Sequence, residues 1–172
     1  MKASVFIATS VDGYIARPDG ALDWLPPGGG EEHGYTEFFA SVDALVIGRK
    51  TFDVVAAFAT WPYGSKPVFV LSTTLSKVSA PDGAVCEVMS GTPNEIARRL
   101  VQRGFKHVYI DGGETIQGFL EAGLIQRMVI TRIPVLLGSG IPLFGTLSRD
   151  IRLQHVATRS YAGGMVQTEY AI

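Results

Sequence analysis

Cysteine is almost missing from this chain: Cys86 stands alone. A single thiol excludes an intramolecular disulfide and any multi-cysteine metal site. Cys86 lies in the strand-like run Ala84–Met89, which reads it as a small core hydrophobe rather than a nucleophile. The three histidines, His33, His107 and His155, share no ligand spacing such as HxxxH, so no metal site is expected. Excess charge is missing too. The formal net charge is -1 and no basic stripe runs along the chain, which argues against a nucleic-acid partner. No run approaches the roughly 18 apolar residues of a membrane span. The apolar run after Met1-Lys2 stops at Thr9-Ser10, short for a secretory leader. A soluble cytoplasmic protein is expected. Neither GxSxG nor GxxxxGK[ST] occurs, so hydrolase-type nucleophilic catalysis and a Walker loop lack support.

What is present is a chain of 172 residues, 47% apolar and 18% charged. That suits one globular domain over 1–172 with a sizeable core. Strands are expected at Ala3–Ala8, Ala44–Ile47, Pro67–Leu71, Ala84–Val88, His107–Ile110 and Gln126–Ile133. Ile151–Ser160 and Met165–Tyr170 alternate apolar and polar residues around Ala162-Gly163-Gly164, the pattern of an antiparallel hairpin. Helices are expected over Glu31–Ser41, Thr51–Ala57, from Thr92 to about Arg103, and after Gly113. Thr92-Pro93-Asn94-Glu95 is a helix-start signature. Ser10–Gly30 reads as a long glycine- and proline-rich loop, a length often kept for function. Strands alternating with helices predict a three-layer αβα domain with a mixed, mostly parallel sheet.

In such sheets ligands bind beyond the carboxyl ends of the strands. Asp12, Gly48–Thr51, Ser72–Thr74, Gly112–Thr115 and Gly138–Gly140 all follow strands and converge on one edge. The stretch Val108–Ile116 runs from a buried strand through Gly112-Gly113 into a helix, where free N–H groups suit a pyrophosphate. A tight turn without a ligand explains it equally. Gly48-Arg49-Lys50-Thr51 repeats the plan with two cations, which suit phosphate or are a solvated surface pair. A carboxylate near that edge, Asp12, Asp23, Glu31 or Glu32, could supply a proton to a C=N or C=C bond. Turn formation or helix-dipole complementarity explains the same residues. Trp24, Tyr35 and Phe39 suit a planar substrate or the core.

Taken together these segments resemble the dihydrofolate reductase-like superfamily, and most closely the branch holding the C-terminal reductase domain of bacterial riboflavin biosynthesis. The resemblance rests on Ser10-Val11-Asp12-Gly13, Val46–Phe52 with its GRKTF, Leu71-Ser72-Thr73, Ile110-Asp111-Gly112-Gly113, and Pro134–Gly140 before Pro142-Leu143-Phe144. It covers nearly the whole chain. It implies a sheet of about eight strands, a homodimer, and NADPH across the carboxyl edge. Ala8, Ile15 and Ala16 would meet the nicotinamide end. Gly48, Arg49, Lys50 and Thr51, with Leu71, Ser72 and Thr73, would take the phosphates. Asp111, Gly112, Gly113, Glu114 and Thr115 would lie along the pyrophosphate. Asp12 and Glu32 are the candidate catalytic carboxylates, and Trp24, Tyr35 and Thr131 the candidate substrate contacts. Asp111 replaces a glycine of the folate enzymes, and Ser65-Lys66-Pro67 stands where those enzymes place an arginine for the folate tail. The expected activity is hydride transfer from NADPH to a small planar heterocycle such as 5-amino-6-(5-phosphoribosylamino)uracil. Dihydrofolate reduction, a non-catalytic NADPH-binding module, and a phosphate-sugar or mononucleotide enzyme without redox chemistry are the alternatives.

Overall fold

The computed structural model describes residues 1–26 and 33–172. In chain order its elements are β1 (Lys2–Ser10), β2 (Tyr14–Ala16), α1 (Tyr35–Ala40), β3 (Ala44–Gly48), α2 (Arg49–Ala56), β4 (Pro67–Leu71), β5 (Val85–Met89), α3 (Pro93–Gln102), β6 (His107–Asp111), α4 (Gly113–Glu121), β7 (Arg127–Ile133), β8 (Ile141–Pro142), β9 (Gln154–Ser160) and β10 (Val166–Ala171). The main sheet has eight strands in the order β5-β4-β3-β6-β1-β7-β10-β9. The strands from β5 to β7 pair in parallel, and β10 runs antiparallel to both β7 and β9. The mixed, mostly parallel sheet with a C-terminal antiparallel hairpin is therefore as expected.

Strand alternation sorts the core onto two faces. Ala3, Val5, Val46, Phe69, Val108 and Ile110 pack with Ile96 and Leu100 of α3 and Ile116 and Phe119 of α4. Leu45, Ile47, Val68, Val70 and Tyr109 pack on the other side with Phe38 of α1 and Phe52 and Val55 of α2. Helices on both faces complete the three layers.

The α3 start was legible to the residue. Thr92 Oγ1 accepts from the Glu95 N–H at 3.3 Å, and the Glu95 carboxylate accepts from the Thr92 N–H at 2.7 Å. Those bonds hold the Glu95 carboxyl below its ordinary range, the Thr92 N–H contributing most. Thr92→Ala is expected to cost about 1 kcal/mol, read as a drop of roughly 2–4 °C in Tm.

Other expectations are corrected. The long-loop reading of Ser10–Gly30 misses β2. The chain turns at Gly13, whose N–H donates to the Ser10 carbonyl at 3.1 Å, and pairs antiparallel with β8. The first helix opens at Tyr35, after Gly34 in the left-handed region at φ 81, and the acid of its first turn is Glu37. Glu31 and Glu32 lie outside the described residues. The second helix starts at Arg49 rather than Thr51, directly after Gly48. The hairpin's first strand starts at Gln154, because Ile151 instead packs against the core.

Candidate active site

The parallel strands put their carboxyl ends on one edge, and there two strand–glycine–helix units meet. Gly112 has φ 92 and ψ 136, and a Cβ on it would overlap Thr51 Oγ1. A Cβ on Gly48 would stand 3.0 Å from Thr115 Oγ1. The two turns interlock, each glycine against the other unit's threonine. Neither α2 nor α4 has a side-chain cap at its N-terminus, so their first N–H groups are left for a ligand or water. Lys50 Nζ lies 3.1 Å from Glu114 Oε1 across the two starts, both side chains largely exposed. Arg49 is half-exposed and only 4.0 Å from Asp53 at its nearest. Its guanidinium keeps donors to spare. An anionic group fits this cradle.

The remaining sites divide. Leu71 ends β4, and the Ser72 hydroxyl accepts from the Thr74 and Leu75 N–H groups at 3.2 and 3.1 Å. It serves its own turn, while Thr73 is exposed. Ile15 Cδ1 and the Pro142 carbonyl close on Gly113, at 3.3 and 3.1 Å from the position a Cβ would take. Gly113 therefore makes room for the small sheet, which brings Ile15 to the start of α4, while the Ala16 carbonyl lies against Gly140. Ala8 and Thr131 are register partners on β1 and β7, and Tyr35 meets Phe6 of the same face edge-on, with ring centroids 5.5 Å apart.

Asp12 is spoken for. Its carboxylate accepts from Gly138 N at 2.7 Å and Leu137 N at 3.1 Å, clamping the loop after β7. The Ser10 hydroxyl first, then these N–H groups, hold it below the ordinary carboxylate range. Asp23 pairs with Arg17 at 2.6 Å. Trp24 is half-buried, and its indole N–H has no partner among the described residues. Glu32 lies outside the described residues. Lys66 donates to the Val42 carbonyl at 2.5 Å and sits 4.9 Å over the Phe39 ring, so its ammonium is engaged inside the fold.

Sequence reasoning set Asp111 along the pyrophosphate and missed that it is the most perturbed carboxyl among the described residues. Asp111 ends β6 in register with Ile47, on the α1/α2 face shared by Ala8, Tyr35 and Thr131. Burial pushes its carboxyl up to about 6, partly offset by the Gly112 N–H at 2.8 Å. Burial likewise pushes Tyr35 up to about 12, with the Asp111 charge adding to it. Tyr63 and Tyr109 shift upward for the same two causes. The Tyr109 O–H donates to the Phe6 carbonyl at 2.7 Å. The available signal was a carboxylate two residues beyond Tyr109, on the same strand face. Among the described residues no cluster of three or more metal-ligating side chains occurs, and no helix is long and apolar enough to cross a membrane.

This sheet order, with its paired glycine turns, defines a dihydrofolate reductase-like α/β fold. Dihydrofolate reductase from Enterococcus faecalis, complexed with NADP(H), superposes with a TM-score of 0.68 at 20% identity, covering 99% of this chain and 95% of that one. The chain itself belongs to the RibD C-terminal domain family, whose model matches residues 2–167. The uncharacterized protein YwjB of Bacillus subtilis (strain 168) is 37% identical over 172 residues, 98% of this chain and 97% of YwjB. A solved protein of Shewanella sp. PV-4, named for riboflavin biosynthesis, matches with TM-score 0.92 and 43% identity over 99% of this chain and 98% of that one. The riboflavin biosynthesis protein RibD of Mycobacterium tuberculosis (strain CDC 1551 / Oshkosh) is 30% identical over 146 residues, 78% of this chain but 42% of RibD.

Proposed function

We propose that this chain is an NADPH-dependent reductase acting on 5-amino-6-(5-phosphoribosylamino)uracil or a close relative of it. The observation that carries the reading is the interlock of two uncapped, glycine-led helix starts at the edge where a buried carboxyl with raised pKa also emerges. Membership of the RibD C-terminal domain family supports it. Reading residues 1–172 as one domain, cytoplasmic and homodimeric, belongs to the same proposal. The outer strand β9, with Val156 53% exposed, offers a surface for a second copy.

The bound dinucleotide supplies hydride to an electrophilic carbon of the substrate. The protein orients and protonates. Main-chain N–H groups at Gly48–Thr51 and Gly113–Thr115 would hold the pyrophosphate, the Gly112 N–H being given to Asp111. Arg49 and Lys50 take phosphate charge, with Leu71, Ser72 and Thr73 beside them. Ala8, Ile15 and Ala16 frame the nicotinamide end, and Trp24, Tyr35 and Thr131 border the substrate. Asp111 donates the proton to the atom left negative by hydride addition and is reprotonated from solvent. A pKa near neutrality suits that task. Asp12, ionised and held by two N–H donors, positions the loop after β7 instead. Dihydrofolate is disfavoured, because Lys66 is spent on Val42 and Phe39 rather than free for a glutamate tail.

Arg49→Ala tests the cofactor assignment. Its Kd for NADPH is expected to rise roughly tenfold, about the value of one charge-assisted contact, with little change for NADH. Calorimetric titration with both cofactors checks this. Equal losses would assign Arg49 to the pyrophosphate, and no loss would return it to the surface.

A further inference from the structure

The small sheet of β2 and β8 pairs a strand of 3 residues with one of 2, too little to hold its own position. Tethers fix it instead. On the β1 side the Leu143 N–H donates to the Gly13 carbonyl at 3.0 Å. On the α4 side the tether is Gln117. Its Nε2 donates to the Pro142 carbonyl at 3.1 Å and to the Leu143 carbonyl at 3.3 Å. A carbonyl only accepts, so both bonds need the amide nitrogen. Gln117 follows Gly113 by four residues in α4, which puts the two on one helix face. The Pro142 carbonyl it holds is the one that closes to 3.1 Å on the Cβ position of Gly113, with Ile15 Cδ1 at 3.3 Å and Ile141 Cγ2 at 3.4 Å. The chain after β8 makes room for the amide: a Cβ on Gly145 would stand 2.6 Å from Gln117 Oε1. The Gln117 amide therefore sets how far the small sheet stands from the uncapped start of α4.

We propose that Gln117 is a positioning residue, which fixes the spacing between the part of the edge that holds the cofactor's phosphates and the part that frames its nicotinamide. This rests on the reductase reading above and deepens it. In that reading the N–H groups from Gly113 onward hold the pyrophosphate, and Ile15 frames the nicotinamide end. Ile15 rides on β2, and β2 is paired with the strand that Gln117 grips. Hydride transfer needs its reacting atoms roughly 3–3.5 Å apart, and a misplacement of about 1 Å costs on the order of a hundredfold in rate. Gln117 lies a full turn behind the helix start, so it acts through the small sheet. Removing its amide leaves two carbonyls without their donor and frees the small sheet to shift against α4. The phosphates keep their seat while the ring loses its frame.

The test measures calorimetric Kd for NADP⁺ and for adenosine 2′,5′-bisphosphate, which carries phosphates but no nicotinamide, in Gln117→Leu and Gly145→Ala. Leucine keeps most of the bulk of glutamine and cannot donate. Gly145 is not among the glycines of positive φ, so an alanine there meets only the Gln117 amide and pushes it aside. In both variants the NADP⁺ Kd is expected to rise roughly tenfold, about the worth of one lost hydrogen-bonded contact, with the bisphosphate Kd unchanged. With 5-amino-6-(5-phosphoribosylamino)uracil and saturating NADPH, kcat should fall roughly tenfold to a hundredfold, and KM for the pyrimidine should change only a few-fold. The double variant should be no worse than either single one, because both changes break the same tether. Where Gln117→Leu fails to fold, Gly145→Ala decides alone, and should this pyrimidine not be the substrate, the two Kd values decide. Equal losses for the two ligands would mark a purely structural role and overturn the proposal. So would an unchanged NADP⁺ affinity, or additive losses in the double variant. Those outcomes leave the reductase reading standing. A wild-type protein that binds neither ligand would overturn that reading and this proposal with it.

Discussion

Asp111→Asn lowers turnover on the order of a hundredfold to a thousandfold while leaving NADP⁺ affinity unchanged. That loss is the usual worth of a positioned general acid. The substitution is close to isosteric, and the amide oxygen still accepts from the Gly112 N–H. What disappears is the transferable proton. Because the donor works in its protonated form, wild-type kcat/KM should decline as pH rises through about 6. The variant's small residual rate should lack that limb. The same variant makes a stability prediction of opposite sign. The folded pKa of Asp111, about 6, lies above the ordinary 3.8, so between those values the folded state binds more protons than the unfolded one. Its contribution is fully present below the unfolded pKa and is lost as pH rises through the folded one. About two pKa units correspond to something on the order of 3 kcal/mol. Asp111→Asn should therefore be more stable than wild type at pH 7 to 8 and less pH-dependent between 4 and 6. Thermal unfolding across that range, beside the rate profile, checks both halves. A variant slower but no more stable at neutral pH would remove the buried-charge account, and one more stable but equally fast would remove Asp111 from catalysis.

Gly112→Ala should damage the fold and the site together. At φ 92 and ψ 136 the backbone lies where L side chains rarely go, a cost of roughly 1–3 kcal/mol. The new Cβ also overlaps Thr51 Oγ1 in the first turn of α2, adding about 1–3 kcal/mol of overpacking. The sum predicts a fall in Tm of roughly 10 °C or more. It also predicts sharply weakened NADP⁺ binding, because the overlap forces the two helix starts apart. A second change separates the two causes. Thr51→Ala in the Gly112→Ala background removes the overlapping oxygen but not the backbone strain. It should recover part of the stability and little of the affinity, since Thr51 itself borders the cofactor. Full recovery of stability would mean that Gly112 tolerates its φ in an alanine, and no recovery would mean that the overlap relaxes freely.

These predictions lie at the boundary of what the chain discloses. Strands such as Pro67–Leu71 and His107–Asp111 are legible because buried parallel strands are short apolar runs closed by turn residues. Helix α3 is legible because its cap is local, Thr92 and Glu95 being three residues apart. The pair β2 and β8 is not legible. Two very short segments pair across most of the chain, and neither has room for a periodic pattern. Asp12 reads as a proton donor from its place after β1, yet its partners are the amides of Leu137 and Gly138, 125 and 126 residues away. Asp111 reads as a variant glycine position. Its raised pKa comes from burial on a face that α1 and β1 also build, which no local window contains.

The most direct measurement supplies the wild-type protein with 5-amino-6-(5-phosphoribosylamino)uracil and NADPH deuterated at the transferable position, and follows cofactor oxidation and product mass together. The account predicts one NADPH oxidised per product formed, with the deuterium carried into the product. Failure of the protein to bind NADPH or to oxidise it with this substrate would contradict the account.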